Sequence, residues 1–301
     1  WHYELDDQHG ACLGRSSVLF TLDHAARLTE DTALIQIRDT LLTPLLDGTV
    51  KPNQANNMDW IAGVAGRSAA LDRWLTNQDR QRSAQSLLQH FAAYDQPSLL
   101  AGWPSTPSAQ PADFQSGAGH GIAGPMLRLC QLASQDSNIR DDVTIKATLD
   151  TCRRFLQSLW VAEKSNWRIA AAPESRSDID GWAHGPYGIV LALQAHEALY
   201  GSSNPQREAV IERLYQRDLM QWDHLPMGNC GLIELWLNLG NAEQAATVAQ
   251  RMLDRQRSIQ RWAIPGGELM KPGMMTGLAG IGYTLLRLES GEQLPSLLTM
   301  Q

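Results

Sequence analysis

Six segments of the chain share one pattern of glycine and apolar residues. In five of them Gly-x-x-Gly precedes a run in which apolar residues recur at three- and four-residue steps, as at Ala192, Ala195 and Leu199. Such spacing predicts a helix with one buried face. The five copies are 63-GVAGRSAALDRWL, 121-GIAGPMLRLCQLA, 185-GPYGIVLALQAHEAL, 228-GNCGLIELWLNLG and 277-GLAGIGYTLLRL, and a weaker sixth, 10-GACLGRSSVLFTLDHAARL, has one extra residue between its glycines.

More polar, amphipathic stretches lie between these copies and predict a second set of helices. Examples are 79-DRQRSAQSLLQHFAAYD and 206-QREAVIERLYQRDLMQWD. The copies begin about 40 to 65 residues apart, which leaves room for two helices and their connections in each interval. The alternation of Val, Ile, Thr and aromatic residues that indicates strands is scarce.

A repeat of paired helices predicts an all-α fold. Glycine has no Cβ, so paired glycines allow several helix N-termini to crowd around one axis. We therefore predict a toroid of about six helical hairpins, with the glycine turns gathered at one mouth. Residues 1–301 are expected to form a single domain, and because the chain starts with Trp1 rather than Met we expect it to be part of a longer protein.

Composition and charge exclude several classes of protein. Hydrophobic residues make up 43% and charged residues 19% of the chain, a balance that permits a large core and argues against disorder. The net charge of −7 is dispersed along the chain and argues against binding nucleic acid. No apolar run approaches the ~20 residues that span a membrane, and the first residues, WHYELDDQHG, lack a targeting signal, so a cytoplasmic location is predicted. The 4 cysteines lack CxxC spacing and are predicted to be free thiols.

The turns carry specific residues besides glycine. They include 120-HGIAG, 182-WAHGPYGI, 228-GNCGLIEL and 275-MTGLAGIGYTLLRL, and the chain ends near 294-LPSLL. These segments resemble the lanthionine synthetase C-like (LanC-like) cyclases, and the last one resembles the end of the cyclase domain in bifunctional lanthipeptide synthetases. The resemblance touches all six copies. It implies an (α/α) double-ring fold and the addition of peptide cysteine thiols to dehydroalanine or dehydrobutyrine, which forms thioether rings.

The resemblance also implies a zinc site, whose ligands are missing from this chain. In the family a zinc ion near the mouth binds the substrate thiol and favours its thiolate form. The expected cysteine falls at Ala183, and the expected Cys-His or Cys-Cys pair falls at Pro226 and Met227. None of these three is an ordinary zinc ligand, so we predict a protein with no metal and no other cofactor.

A zinc site rebuilt from neighbouring residues is the alternative. The candidate ligands are Cys230, His224, His184 and His120. Cysteine and histidine suit zinc chemically. Cys230, however, aligns with Ala123 and Ala279 in sister copies, which favours a small buried packing residue.

The remaining site residues are also assigned by the resemblance. His120 matches a histidine that the family places near the reacting thioether, where it can donate or accept a proton. Asp59 matches an acidic residue at the same mouth that can orient a histidine or stabilise its charge, and His184 is a further lining residue. A capping or packing role is equally open for His120. The residues expected to contact the peptide are Trp182, Tyr187 and Thr276.

Three functions stay open at this point. The first is a zinc-independent lanthionine cyclase that acts on a ribosomal precursor peptide, with His120 as acid or base. The second is a catalytically degenerate module that binds the precursor peptide or scaffolds a dehydratase or kinase-like partner. The third, carbohydrate processing by paired carboxylates as in other (α/α) barrels, ranks last because the mouth supplies Asp59 and little else that is acidic. The surviving His120 and Asp59 favour catalysis, whereas the loss of the ligands favours a scaffold.

Overall fold

The computed structural model of the chain describes residues 10–46, 57–95, 98–104, 109–266 and 271–301. Residues 1–9, most of the segment considered for a targeting signal, lie outside these ranges. The described ranges contain twelve α-helices and two short antiparallel hairpins. The helices are α1 Arg15–Thr29, α2 Thr32–Leu46, α3 Val64–Ala70, α4 Asn77–Gln89, α5 Ala123–Gln135, α6 Ser137–Asp141, α7 Val143–Ser158, α8 Pro186–Tyr200, α9 Pro205–Tyr215, α10 Asn229–Asn238, α11 Ala242–Ile259 and α12 Leu278–Ser290. The hairpins pair β1 Ala92–Tyr94 with β2 Leu100–Gly102, and β3 Trp160–Val161 with β4 Asn166–Trp167.

The helices that follow the six glycine turns, α1, α3, α5, α8, α10 and α12, form the inner ring. Each of them packs against the next in this order. The inner helices α5, α8 and α10 are buried on almost every side, whereas α4 and α11 bury only one stripe of side chains. This contrast is typical of an inner layer covered by an outer one. The outer helices α2, α4, α7, α9 and α11 pack behind inner helices, and the predicted all-α double-ring toroid is confirmed.

The sixth copy differs from the predicted hairpin. In the described part of the chain, α12 is followed by a 3₁₀ turn at Gly291–Gln293 and by the terminal segment 294–301, not by an outer helix. The terminal segment packs on the inner ring, since Leu298 is fully buried and Gln131 Nε2 donates to Thr299 O at 2.9 Å. Five hairpins and one inner helix therefore make up the toroid as described.

The amphipathic stretch 206–223 is helical only in part. α9 ends at Tyr215, and the chain beyond it is held by the buried side chain of Asn229. The Asn229 amide accepts a hydrogen bond from Met220 N at 2.8 Å and donates one to Trp222 O at 3.0 Å. Because Met220 N and Trp222 O bond to the Asn229 side chain and not to backbone groups of the same helix, the helix does not continue. The other example stretch is also only partly helical, because α4 is followed there by β1.

Candidate functional site

The six glycine turns meet at one end of the inner ring, which we call the mouth. In five copies the residue that caps the inner helix is a glycine. These caps are Gly14, Gly63, Gly185, Gly228 and Gly277. In the third copy the helix begins at Ala123, two residues after Gly121. The first copy therefore aligns on Gly14 rather than on Gly10, and Ser17 stands where the other copies have their second glycine.

Backbone hydrogen bonds join neighbouring turns. The bonded residues lie two and three positions before the first glycine of each copy, and the amide of one copy donates to the carbonyl of the next. The bonds are Ala11 N to Trp60 O (3.1 Å), Cys12 N to Ile61 O (3.1 Å), Ile61 N to Gly119 O (3.4 Å), Ala118 N to Trp182 O (3.3 Å), Gly119 N to Ala183 O (3.0 Å), Trp182 N to Pro226 O (2.8 Å) and Leu225 N to Met275 O (3.2 Å). The turns are thus held in one register, so that equivalent positions recur around the mouth.

The second glycine of each pair lies against the backbone of its own turn. A Cβ atom at this position would come closer than 3.0 Å to the carbonyl oxygen three residues before the first glycine, which the backbone cannot accommodate without moving. The glycines concerned are Gly66, Gly124, Gly188, Gly231 and Gly280. The glycines do permit close backbone approach, but the nearest backbone atom belongs to the same turn and not, as predicted, to the N-terminus of another helix.

The position directly before the first glycine places its side chain at the open surface of the mouth. We call it the lining position, and its six residues are Leu13, Ala62, His120, His184, Met227 and Thr276. None of them is buried, and the His120 side chain is 45% exposed. By contrast, Trp60 and Trp182, two residues earlier in their turns, are fully buried. Of the lining residues, only the two histidines exchange protons near neutral pH.

His120 forms a pair with Asp59, from the neighbouring copy. The distance from His120 Nδ1 to Asp59 Oδ2 is 3.0 Å. Asp59 is held in place because its Oδ1 accepts a hydrogen bond from Ala62 N at 2.7 Å. The hydrogen bond to this carboxylate raises the pKa of His120, against the opposing effect of partial burial. With Nδ1 engaged, Nε2 is the nitrogen of His120 that can exchange a proton with a ligand.

His184 lies beside His120 in the next copy. The two ring centroids are 5.8 Å apart. Burial lowers the pKa of His184, and a positive charge on His120 lowers it further. The pKa values of the two imidazoles are therefore pushed in opposite directions from their ordinary value. A pair of this kind can supply a proton acceptor and a proton donor at the same pH.

The positions implied for zinc do not fit a zinc ion. Ala183 is 5% exposed and has only a methyl group as its side chain, and Pro226 has no donor atom in its side chain. Met227 offers only a thioether, which suits zinc poorly. No group of three or more His, Cys, Asp or Glu side chains arranged to hold a metal occurs in the described ranges. That the protein takes up no zinc stays a prediction.

Cys230 and His224 do not join the mouth histidines. The Cys230 thiol is fully buried and lies 4.0 Å from Met252 Sδ, between α10 and α11. Burial raises its pKa well above the ordinary value, which disfavours a thiolate ligand. His224 is also buried, and its Nδ1 accepts a hydrogen bond from Met227 N at 3.4 Å. The packing role expected for Cys230 agrees with this environment.

The residues expected to contact the peptide separate into two groups. Thr276 is exposed at its lining position. Trp182 and Tyr187 are fully buried, and the Tyr187 hydroxyl donates to Met220 Sδ at 3.3 Å. They do not line the mouth, because the hydrogen bonds between turns direct Trp182 into the core and Tyr187 lies within the first turn of buried helix α8. Both side chains lie in the core beneath the mouth.

Sequence reasoning missed Leu13 as a lining residue and Cys12 as a neighbour of the mouth. Cys12 is partly exposed, while the other three cysteines of the chain are buried. Burial, reinforced by the negative charge of Asp59, raises the pKa of the Cys12 thiol to about 12. The repeat shows both residues at mouth positions only when the first copy is aligned on Gly14 instead of Gly10.

Comparisons with known proteins show the family and the fold of the chain. A family model described as lanthionine synthetase C-like protein matches residues 3–299. Among solved structures, the chain is similar to one named nisin cyclase, with a TM-score of 0.72 and 16% sequence identity over 99% of this chain and 81% of that one. At this identity the similarity shows the fold alone. No curated protein matches the chain. None of the described helices is both long and apolar enough to cross a membrane.

Proposed function

The chain belongs to the lanthionine synthetase C-like family, and we propose that it is a cyclase that forms thioether rings without zinc. Its substrate is a ribosomal precursor peptide in which serine or threonine has been dehydrated. A cysteine thiol of the peptide adds to dehydroalanine or dehydrobutyrine. The observation that carries the proposal is the Asp59–His120 pair beside His184 at the mouth of the toroid. Membership of the lanthionine synthetase C-like family agrees with a cyclase reaction.

His184 is the proposed base. Its lowered pKa keeps the imidazole neutral at pH 7, so one ring nitrogen can accept the proton of the substrate thiol. The thiolate that results is the nucleophile, and an imidazolium close by stabilises it. His120 supplies that positive charge in its protonated form, which Asp59 favours by raising the pKa of the imidazole. These two residues thus share the task that a metal performs by lowering the pKa of a bound thiol.

His120 is the proposed acid in the second half of the reaction. The thiolate sulfur forms a bond to Cβ of the dehydroamino acid, and the electron pair of the C=C bond moves to give an enolate. His120 then gives its proton to Cα. The net result is addition of S–H across the double bond, with no oxidant, no reductant and no leaving group. His184 ends protonated and His120 neutral, and proton exchange between them or with water restores the starting state.

The function is tested by following a dehydrated precursor peptide over time with and without the protein. Ring formation does not change the mass of the peptide, so unreacted thiols are counted by mass spectrometry after alkylation with N-ethylmaleimide. We expect thiols to disappear at least about tenfold faster with the protein, since positioned acid–base groups typically contribute 10²–10⁴-fold. Rates equal to those of the protein-free control, together with measurable peptide binding, would instead identify the degenerate module that binds peptide or scaffolds a dehydratase or kinase-like partner.

Metal content gives a second test of the zinc-free proposal. We expect protein purified without chelators to contain far less than one zinc per chain by elemental analysis, because Ala183, Pro226 and Met227 replace the expected ligands. Ring formation should also be unchanged after dialysis against a chelator. Stoichiometric zinc, or loss of the reaction on dialysis that zinc restores, would contradict the proposal.

The pH dependence of ring formation should show two limbs. The rate should fall below the lowered pKa of His184, where the base becomes protonated, and above the raised pKa of His120, where the acid loses its proton. Asp59→Asn removes the interaction that raises the pKa of His120. We therefore expect the alkaline limb to move to lower pH, so that the rate at pH 8 falls more than the rate at pH 6.

The control for this prediction is Asp254→Asn. Asp254 is exposed on the outer helix α11 and pairs with Arg257 of the same helix, and its replacement should leave both limbs in place. An Asp59→Asn profile that falls uniformly at all pH values would assign Asp59 a structural role only. The cytoplasmic location and the single domain remain predictions.

A further inference from the structure

The ring of turns has one junction that differs from the others. Backbone hydrogen bonds join the copies at five junctions, from the first copy through to the sixth. At the remaining junction, between the sixth copy and the first, no such bond links Met274 or Met275 to Ala11 or Cys12 in the part of the chain that is described. A cavity of about 320 Å³ lies there, between α1, the sixth turn and the terminal segment.

The substitution of Ser17 for a glycine agrees with the wider junction. Ser17 stands at the second-glycine position, where the other copies have no Cβ and the helix lies directly on its own turn. Its hydroxyl donates to Gly14 O at 2.8 Å, and Ser17 itself lines the cavity. A side chain at this position separates the first turn of α1 from the backbone before it, which leaves space that the other junctions lack.

The walls of the cavity are almost entirely apolar. The lining residues are Ala11, Cys12, Ser17, Val18, Phe20, Thr21, Leu22, Met274, Met275, Leu297 and Met300. No charged side chain is among them, and their polar side-chain groups are two hydroxyls and one thiol. Three methionines, which are flexible and polarisable, allow such a wall to adapt to apolar groups of different shape. The chemistry favours an uncharged apolar occupant and disfavours a charged one.

The cavity lies beside the mouth. Cys12 and Met275 line the cavity, and the residues that follow them in sequence, Leu13 and Thr276, occupy lining positions. The histidines lie three junctions away around the ring, so a peptide held beside them reaches the opening by crossing the mouth. A volume of about 320 Å³ is at the lower end of the range for ligand sites and suits one side chain rather than a folded segment.

We propose that this junction cavity is a subsite that receives one aliphatic or aromatic side chain of the precursor peptide. The identity of the occupant as a precursor peptide rests on the proposed function. The subsite selects peptides that carry an apolar residue several positions from the reacting cysteine or dehydroamino acid, far enough along the peptide to reach the opposite side of the mouth. It positions that stretch of the peptide across the mouth.

Peptide binding tests the subsite directly, without ring formation. The probes are two fluorescein-labelled peptides that contain cysteine in a Ser/Gly sequence and differ at one position several residues from the cysteine, which is Leu in one and Ser in the other. By fluorescence anisotropy we expect the Leu peptide to bind about tenfold or more tightly, as burial of one such side chain provides. The Leu peptide should also slow alkylation of Cys12, the partly exposed cysteine at the cavity wall.

Val18→Phe fills the cavity and should abolish the preference for the Leu peptide while leaving binding of the Ser peptide unchanged. Thr21→Phe, at the exposed rim, is the second variant and should reduce the preference even if Val18→Phe does not fold. Val143→Phe, on a side chain that is 78% exposed in α7, is the matched control and should keep the preference.

Equal affinities for the two peptides, a preference that survives in both cavity variants, or no binding of either peptide would overturn the subsite. The outcomes also separate the two proposals. If ring formation fails but the Leu preference and its loss in Val18→Phe are observed, the cyclase proposal falls and the subsite stands. If rings form without any preference, the subsite falls and the cyclase stands.

Discussion

Replacement of His120 by asparagine is expected to slow ring formation by about 10²–10³-fold, the loss typical of removing a positioned proton-transfer group. Asparagine can keep a hydrogen bond to Asp59 but cannot give a proton to the enolate. Because the change removes an interaction used in the reaction rather than in binding, the loss should appear in kcat, with KM for the dehydrated peptide little altered. The measurement is the initial rate of thiol loss as a function of peptide concentration.

The control for His120→Asn is His24→Asn. His24 lies in α1, where its Nδ1 is hydrogen-bonded to Phe20 O at 2.8 Å, outside the mouth. This variant should retain the wild-type rate within about twofold. If His120→Asn also retained the wild-type rate, His120 would be a structural residue and the proposed acid would be wrong. A loss confined to KM would assign it to peptide binding instead.

Replacement of Gly280 by alanine is expected to destabilise the fold by about 3 kcal/mol, near the upper end of overpacking effects. A Cβ atom there would overlap the carbonyl oxygen of Met274 and come within 3.1 Å of Leu225 Cδ1. The backbone of the sixth turn, which carries the lining residue Thr276, must then move. Urea unfolding followed by circular dichroism gives the change in the free energy of unfolding.

Gly282 provides the matched control in the same helix. It lies two residues further along α12, is exposed, and has nothing within 4 Å of a Cβ position. Gly282→Ala should therefore stabilise the protein by up to about 1 kcal/mol, since alanine loses less backbone entropy in a helix. Equal effects of the two substitutions would show that helix propensity, not close approach to the turn, governs the second-glycine position.

These two predictions concern linked properties of the mouth. The glycines allow each inner helix to begin directly on its turn, and the hydrogen bonds between turns then place the lining residues of neighbouring copies side by side. His120 and His184 become neighbours through this register, although they are distant in sequence. A change at a second glycine should therefore affect both stability and the rate of ring formation, whereas His120→Asn should affect the rate alone.

Much of the architecture could be predicted because its signals are local. Gly-x-x-Gly followed by apolar residues at helical spacing predicted the five inner helices from α3 onwards, and glycines such as Gly63 and Gly185 do cap them. In the outer layer, α9 ended earlier than its amphipathic pattern suggested, because Asn229 of another helix binds the backbone that follows. A pattern within one segment cannot report such a partner.

By itself, the sequence determined the fold class, the start of most inner helices and the loss of the zinc ligands at Ala183, Pro226 and Met227. Each of these depends on residue type and spacing alone. The tertiary structure decided which side chains reach the mouth, because the register between turns is set by hydrogen bonds across copies. That register buries Trp182 and Tyr187, joins Asp59 to His120, and leaves a cavity where the first and last copies meet.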